Sequence, residues 1–140
     1  MVKIDMPNGD DANVSEDDVL VVRELAAIER KWGDIDTASR SIIFTKGGAV
    51  YPVHEVSEVL AKLSGVQFAE LSAPNEMPLH VNAKAVTDRD DATRALDDPR
   101  TRSVLRFGVG KKSAAVRVRE TREELEQIWA DLGLPTGVLA

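Results

Sequence analysis

His54 and His80 are the side chains of this 140-residue chain most suited to proton transfer or metal binding. A two-histidine metal site needs a carboxylate as third ligand, and Asp5, Glu55 and Glu76 lie nearest in the sequence pattern. The two histidines fall at different steps of that pattern: His54 ends a strand before a helix, and His80 lies inside a strand. They therefore read as surface or half-buried histidines without a ligand. Gly47-Gly48, and Gly108-Val109-Gly110 followed by Lys111-Lys112, resemble phosphate loops in composition. The spacing of a phosphate loop and its strand–loop–helix context are both missing, so these segments read as hairpin turns. The acidic clusters Asp10-Asp11, Glu16-Asp17-Asp18 and 88–98 lack the order of a calcium loop and read as solvated turns. With no cysteine, disulfides, thiolate nucleophiles and cysteine-bound zinc are absent. No nucleophile–base–stabiliser set emerges. The expectation is a protein that is not an enzyme and uses no metal or cofactor.

One constellation carries more information. Strand side chains alternate faces. Arg102 and Arg106 share a parity on one strand, and Arg117 and Arg119 share a parity on the next. The hairpin they form has four arginines on one face and Lys111 and Lys112 at its tip. Such a face suits an anionic partner: phosphate, nucleic acid or an acidic protein surface. Its structural alternative is pairing with Glu120, Glu123, Glu124 or the acidic first half. No aromatic residues interleave there, as single-stranded nucleic-acid readers require. Earlier in the chain, Ile42 and Phe44 stand where Val104 and Arg106 stand, and Pro52 is aligned with Arg117. That apolar face is expected to be covered by the other half, by a helix around Trp32, or by another subunit. Proline lacks the amide donor, which places Pro52 on an edge.

These faces are positioned by a unit that reads as written twice. Ser39–Phe44 and Thr101–Arg106 each open a strand, a glycine hairpin follows, and a helical stripe closes the unit. The stripes are Val56, Val59, Leu60 and Leu63, then Leu125, Ile128, Trp129 and Leu132. Upstream, Pro7-Asn8, Val14 and Val19 match Pro74-Asn75, Val81 and Val86. Each copy predicts four strands and a helix. The strands are Val2–Met6, Ala12 to Val22, Ser41–Thr45 and Val50–Val53, then Gln67–Leu71, Leu79–Val86, Ser103–Phe107 and Ala115–Arg119. Thr121 precedes Glu124 at capping-box spacing. Gly65 and Gly133 are expected to end the helices. Residues 23–32 predict an extra short helix, 88–99 a polar loop or one or two helical turns, and 134–140 a loosely ordered tail.

The fold expected is α+β: two tandem ββββα-like units, 1–65 and 66–140, with antiparallel sheets and one helix each, packed as a pseudo-symmetric pair in one domain. Composition agrees with a globular chain, 43% hydrophobic and 30% charged. A net charge of −6 argues against broad coating of DNA. The opening MVKIDMPNGDD has no apolar signal core, and no run reaches membrane-spanning length, so a cytoplasmic location is expected.

The order of these segments resembles the small FlbD-type flagellar and swarming-motility proteins and short uncharacterised bacterial and phage proteins. The residues that carry the resemblance are Met1–Gly9, Val81-Asn82-Ala83, Arg102–Leu105, Lys111-Lys112 and Val116–Leu125. Against that family, this chain is doubled, its middle connectors are longer, and Val53-His54-Glu55-Val56 replaces the usual helix entry. The resemblance implies a fold rather than a reaction. The function expected is a non-catalytic protein-interaction or assembly protein, of bacterial or phage type, binding a protein partner or itself. The alternative is a nucleic-acid- or phosphate-binding regulator using the basic face.

Overall fold

The computed structural model describes residues 2–6, 9, 11–25, 39–93, 99–109 and 112–140. Among these are ten strands in antiparallel sheets and two α-helices. The chain divides into two compact units, Met1–Val66 and Gln67–Ala140.

In the first unit, β1 (Val2–Asp5) and β2 (Asp11–Val14) form a hairpin with Val2 opposite Val14. A 3-10 turn, Glu16–Asp18, leads into β3 (Val19–Glu24). Next come β4 (Ser41–Thr45), β5 (Gly48–Val50) and the helix α1 (Val56–Lys62). Strand β4 is central, with β3 and β5 on its two sides. Ile4, Val14, Val19, Val22, Ile43, Val59 and Leu63 are buried. Val59 and Leu63 are four residues apart, so one stripe holds α1 down.

The second unit runs β6 (Phe68–Ser72), β7 (Pro78–Asn82), a 3-10 turn at Ala83–Ala85, and β8 (Asp88–Asp91). Then follow β9 (Ser103–Val109), β10 (Lys112–Val118), α2 (Arg122–Asp131) and a last 3-10 turn at Gly137–Leu139. Strand β9 is central between β8 and β10. Leu125 and Trp129 repeat the i, i+4 stripe, both buried.

The helix starts are set by local chemistry. In α2, the Thr121 hydroxyl accepts from the Glu124 amide at 3.3 Å, and the Glu124 carboxylate accepts from the Thr121 amide at 3.2 Å. This is the expected capping box. In α1 the cap is Glu55, not Ser57, and the Glu58 carboxylate accepts from its amide. Gly133 ends α2 at a φ of 74°, where a side chain would be strained. The Leu134 amide donates to the Trp129 carbonyl and the Gly133 amide to Ala130, which satisfies carbonyls left open at the helix end.

Several expectations are corrected. Each unit has five strands rather than four, because the segments 12–22 and 79–86 are broken by 3-10 turns. The acidic segment 88–91 is strand β8, not a loop or helical turn. Its sequence, Asp-Arg-Asp-Asp, has little strand propensity; the pairing with β9 supplies the reason. Arg89 is buried on the core side, donating through Nε to the Ser103 hydroxyl at 2.9 Å and through an η nitrogen to Asp91 at 2.8 Å. Asp90 pairs with Arg106 across the strands. The tail is held, since Leu139 is fully buried. Gly65 does not close α1 by positive φ; its amide donates to the Glu16 carboxylate at 2.7 Å. Of the helix expected at 23–32, Arg23 and Glu24 belong to β3, and residues 26–38, Trp32 among them, lie outside the described residues.

Trp129→Ala should lower the unfolding free energy by about 3–5 kcal/mol in a urea titration, and Ile128→Ala, half-buried, by clearly less. The reverse order would show that the stripe holding α2 is misidentified.

Candidate functional site

The register of β9 and β10 decides which side chains share a face. Arg106 is opposite Ala115, Val104 opposite Arg117 and Leu105 opposite Val116. Arg102, Val104 and Arg106 therefore lie on one face with Ala115, Arg117 and Arg119. Leu105 and Phe107 lie on the buried face. Arg102, Arg117 and Arg119 are exposed and Arg106 is partly so. Lys111 lies outside the described residues, as does the side chain of Lys112, whose backbone opens β10.

Strand β8 adds what parity on two strands could not show. Asp88 stands opposite Arg106 and Asp90 opposite Val104, so two carboxylates join the same face. Arg106 Nε bonds the Asp90 carboxylate, Arg119 pairs with Glu76 at 3.3 Å, and Arg102 donates to the Pro99 carbonyl at 3.0 Å. Two of the acids expected to pair with the arginines, Glu120 and Glu124, have other work. Glu120 accepts from the Ser72 amide at 2.9 Å, and Glu124 caps α2. The face is a row of carboxylates along β8 beside two rows of guanidinium groups along β9 and β10.

The face of β3–β4–β5 contrasts with it. Val21 is opposite Phe44, Arg23 opposite Ile42 and Ala49 opposite Phe44. Ile42 and Val21 are buried within the single chain, at 3% and 4% exposure, so their cover requires no second copy. Phe44 is half-buried, with the Arg23 guanidinium 5.4 Å from its ring centre. Pro52 is also buried, but it stands at the core position rather than beside Ile42 and Phe44. The Pro52 carbonyl accepts from the Arg40 amide, whereas in the second unit the carbonyl accepting from Arg102 is that of Val118, not Arg117. One residue of register exchanges the two faces of a strand, so Tyr51 is the residue that stands where Arg117 stands.

The histidines are also placed. His54 lies between two carboxylates: Nε2 is 3.1 Å from Asp5 and Nδ1 is 3.3 Å from Glu58. Glu58 was legible from its i, i+4 spacing to His54. Both ring nitrogens are engaged within the unit. Asp5 is held below the ordinary carboxylate range, first by its hydrogen bond with Asp11, against some desolvation, and then by His54. His80 is half-buried in β7 opposite Glu70; burial pushes its imidazole below the ordinary value, and Glu70 pulls it back. Glu76 serves Arg119, and Glu55 caps α1. Among the described residues, no group of three or more histidine, aspartate or glutamate side chains is placed to hold a metal ion. Among them, too, no helix is long and apolar enough to cross a membrane.

No family model, curated protein or solved structure matches the chain.

The two shifted groups give a pH signature. His80 resists protonation when folded, so its contribution is complete above the ordinary imidazole range and is lost as pH falls through it. Asp5 contributes above the ordinary carboxylate range and ceases to as pH falls through its lowered folded value. Unfolding midpoints across pH should show both losses. His80→Gln should flatten the upper one and Asp5→Asn the lower one, and an unchanged profile in either variant refutes that assignment.

Proposed function

We propose that this is a non-catalytic interaction protein built from two copies of one small module, and that it binds an acidic protein surface through the β8–β9–β10 face. The observation that carries this reading is the placement of Arg102, Arg106, Arg117 and Arg119 on one face by strand register. Exposed guanidinium groups are suited to bidentate recognition of carboxylates. The carboxylates of Asp88 and Asp90 on the same face favour a protein partner, whose surface carries both signs, over a polyanion. The face also carries no aromatic platform for stacking bases, among the described residues.

The doubling is supported by matched hydrogen bonds as well as matched order. Ser41 and Ser103 each donate to the carbonyl just before a helix cap, those of His54 and Glu120, both at 2.8 Å. The amides of Val53 and Arg119 each donate to the last residue of the unit's first strand, Asp5 and Ser72. These matched bonds favour two copies of one module, whose segment order is the one that resembles FlbD-type proteins. The non-catalytic reading is supported by His54, whose two ring nitrogens both face carboxylates of its own unit.

The test is a titration at low salt with a polyglutamate peptide and with a single-stranded oligonucleotide. The peptide should bind, and Arg117→Glu with Arg119→Glu should weaken it about tenfold or more. Preferential binding of the oligonucleotide would transfer the face to nucleic acid, and binding of neither would end both readings.

A further inference from the structure

The same sheet has an edge that its counterpart lacks. Strand β5, at the edge beside β4, has three residues and begins at Gly48 with a φ of 133°. Pro52, just beyond it, has no amide to offer. Short length, irregular backbone and proline are devices that stop a sheet edge from recruiting another strand. Strand β10 has none of them. Its seven residues pair with β9 in one unbroken register, from Lys112 opposite Val109 to Val118 opposite Ser103, without a bulge or proline. It stands at the end of the order β10–β9–β8, and its outer edge stops at Arg119, whose amide donates to the Ser72 carbonyl at 2.8 Å.

The hydrogen bonds fix which backbone groups point outward. The Arg106 carbonyl accepts from the Thr87 amide at 2.9 Å, and the Gly108 amide donates to the Thr87 hydroxyl at 2.8 Å. Arg106 and Gly108 thus turn their backbone groups toward β8. Alternation then turns Leu105 and Phe107 toward β10. Ala115, opposite Arg106, points its amide and carbonyl away from β9. Ala114 and Ala115 are both exposed and small, so little side-chain bulk screens that edge.

Charge selects the occupant. From Lys111 to Arg119 the chain carries Lys111, Lys112, Arg117 and Arg119 and no acidic residue. A second β10 would bring only cations to this strand, and like charges directly opposite one another destabilise a strand pair. A strand with acidic side chains at every second residue would place them all on the arginine face. We propose that β10 receives an extended, alternately acidic segment of a protein partner as a fourth strand of the sheet. The backbone ladder would supply affinity, and Arg117 and Arg119 would select the acidic residues. This rests on the reading that the arginine face takes an acidic protein surface, and adds the shape of the occupant.

The probe is an extended peptide of about eight residues alternating Glu and Thr, with two analogues N-methylated at the glutamates or at the threonines. A strand adding to β10 presents only alternate amides to it. One analogue should therefore lose about tenfold or more in affinity while the other keeps it. Equal binding of both analogues and the parent overturns strand addition and leaves acidic docking standing. No binding of the parent at low salt defeats both. Ala115→Pro provides the check on the protein side. By alternation the amide it removes points away from β9, so the thermal midpoint should hold within a few degrees while peptide binding falls about tenfold. Undiminished binding to that variant, or a dimer formed through β10 in sedimentation, overturns the proposal.

Discussion

A serine hydroxyl at the start of the central strand organises each unit. Ser41 and Ser103 are fully buried, and each donates a hydrogen bond to the carbonyl of the residue preceding a helix cap. A buried hydroxyl without a partner costs about 1–3 kcal/mol, so the bond strongly favours one placement of the helix entry relative to the strand. With the entry fixed, Glu55 and Thr121 fall at the caps, and Val59, Leu63, Leu125 and Trp129 are buried. The same constraint sets which strand residues face in, and so which face gathers the arginines. Two residues earlier the units differ. The Ser39 hydroxyl donates to the Tyr51 carbonyl, while the buried Thr101 hydroxyl has no hydrogen-bond partner among the described residues.

What the sequence revealed was what local chemistry determines. The hairpins at 41–50 and 103–118, the capping box at Thr121–Glu124 and the stripes through Val59 and Trp129 each follow from residues near one another in the chain. Arginine parity on β9 and β10 was legible for the same reason. Features decided by distant partners were not. Strand β8 has the composition of a turn and becomes a strand because Arg106 and Ser103 lie across from it. The tail is ordered by one apolar residue, Leu139, too sparse a pattern to read as an element. Pro52 was misplaced by one residue because valines at 53 and 118 invite alignment, whereas the hydrogen bonds equate Pro52 with Val118.

The β3–β4–β5 and β8–β9–β10 strands use similar frameworks for different surfaces. On one, Val21, Ile42 and Phe44 exclude water, and Arg23 lies over the phenylalanine ring. On the other, Asp88 and Arg106 stand at the steps of Val21 and Phe44, while Val104, at the step of Ile42, is buried as Ile42 is. The core shows the same divergence. Val22 is buried against its sheet, while Arg89 at the same step reaches Ser103 and Asp91. A buried guanidinium tolerates loss of its partners poorly, which ties the strand that carries it to those acceptors.

Helix α1 has seven residues, about half the length at which a helix persists in water by itself. It survives because Val59 and the capping residue Leu63 are pinned beneath it, and it cannot outlast the layer that pins them. Its amide protons should therefore exchange with deuterium only when that layer opens, which makes a brief helical turn the natural gauge of how often the first half of the molecule breathes.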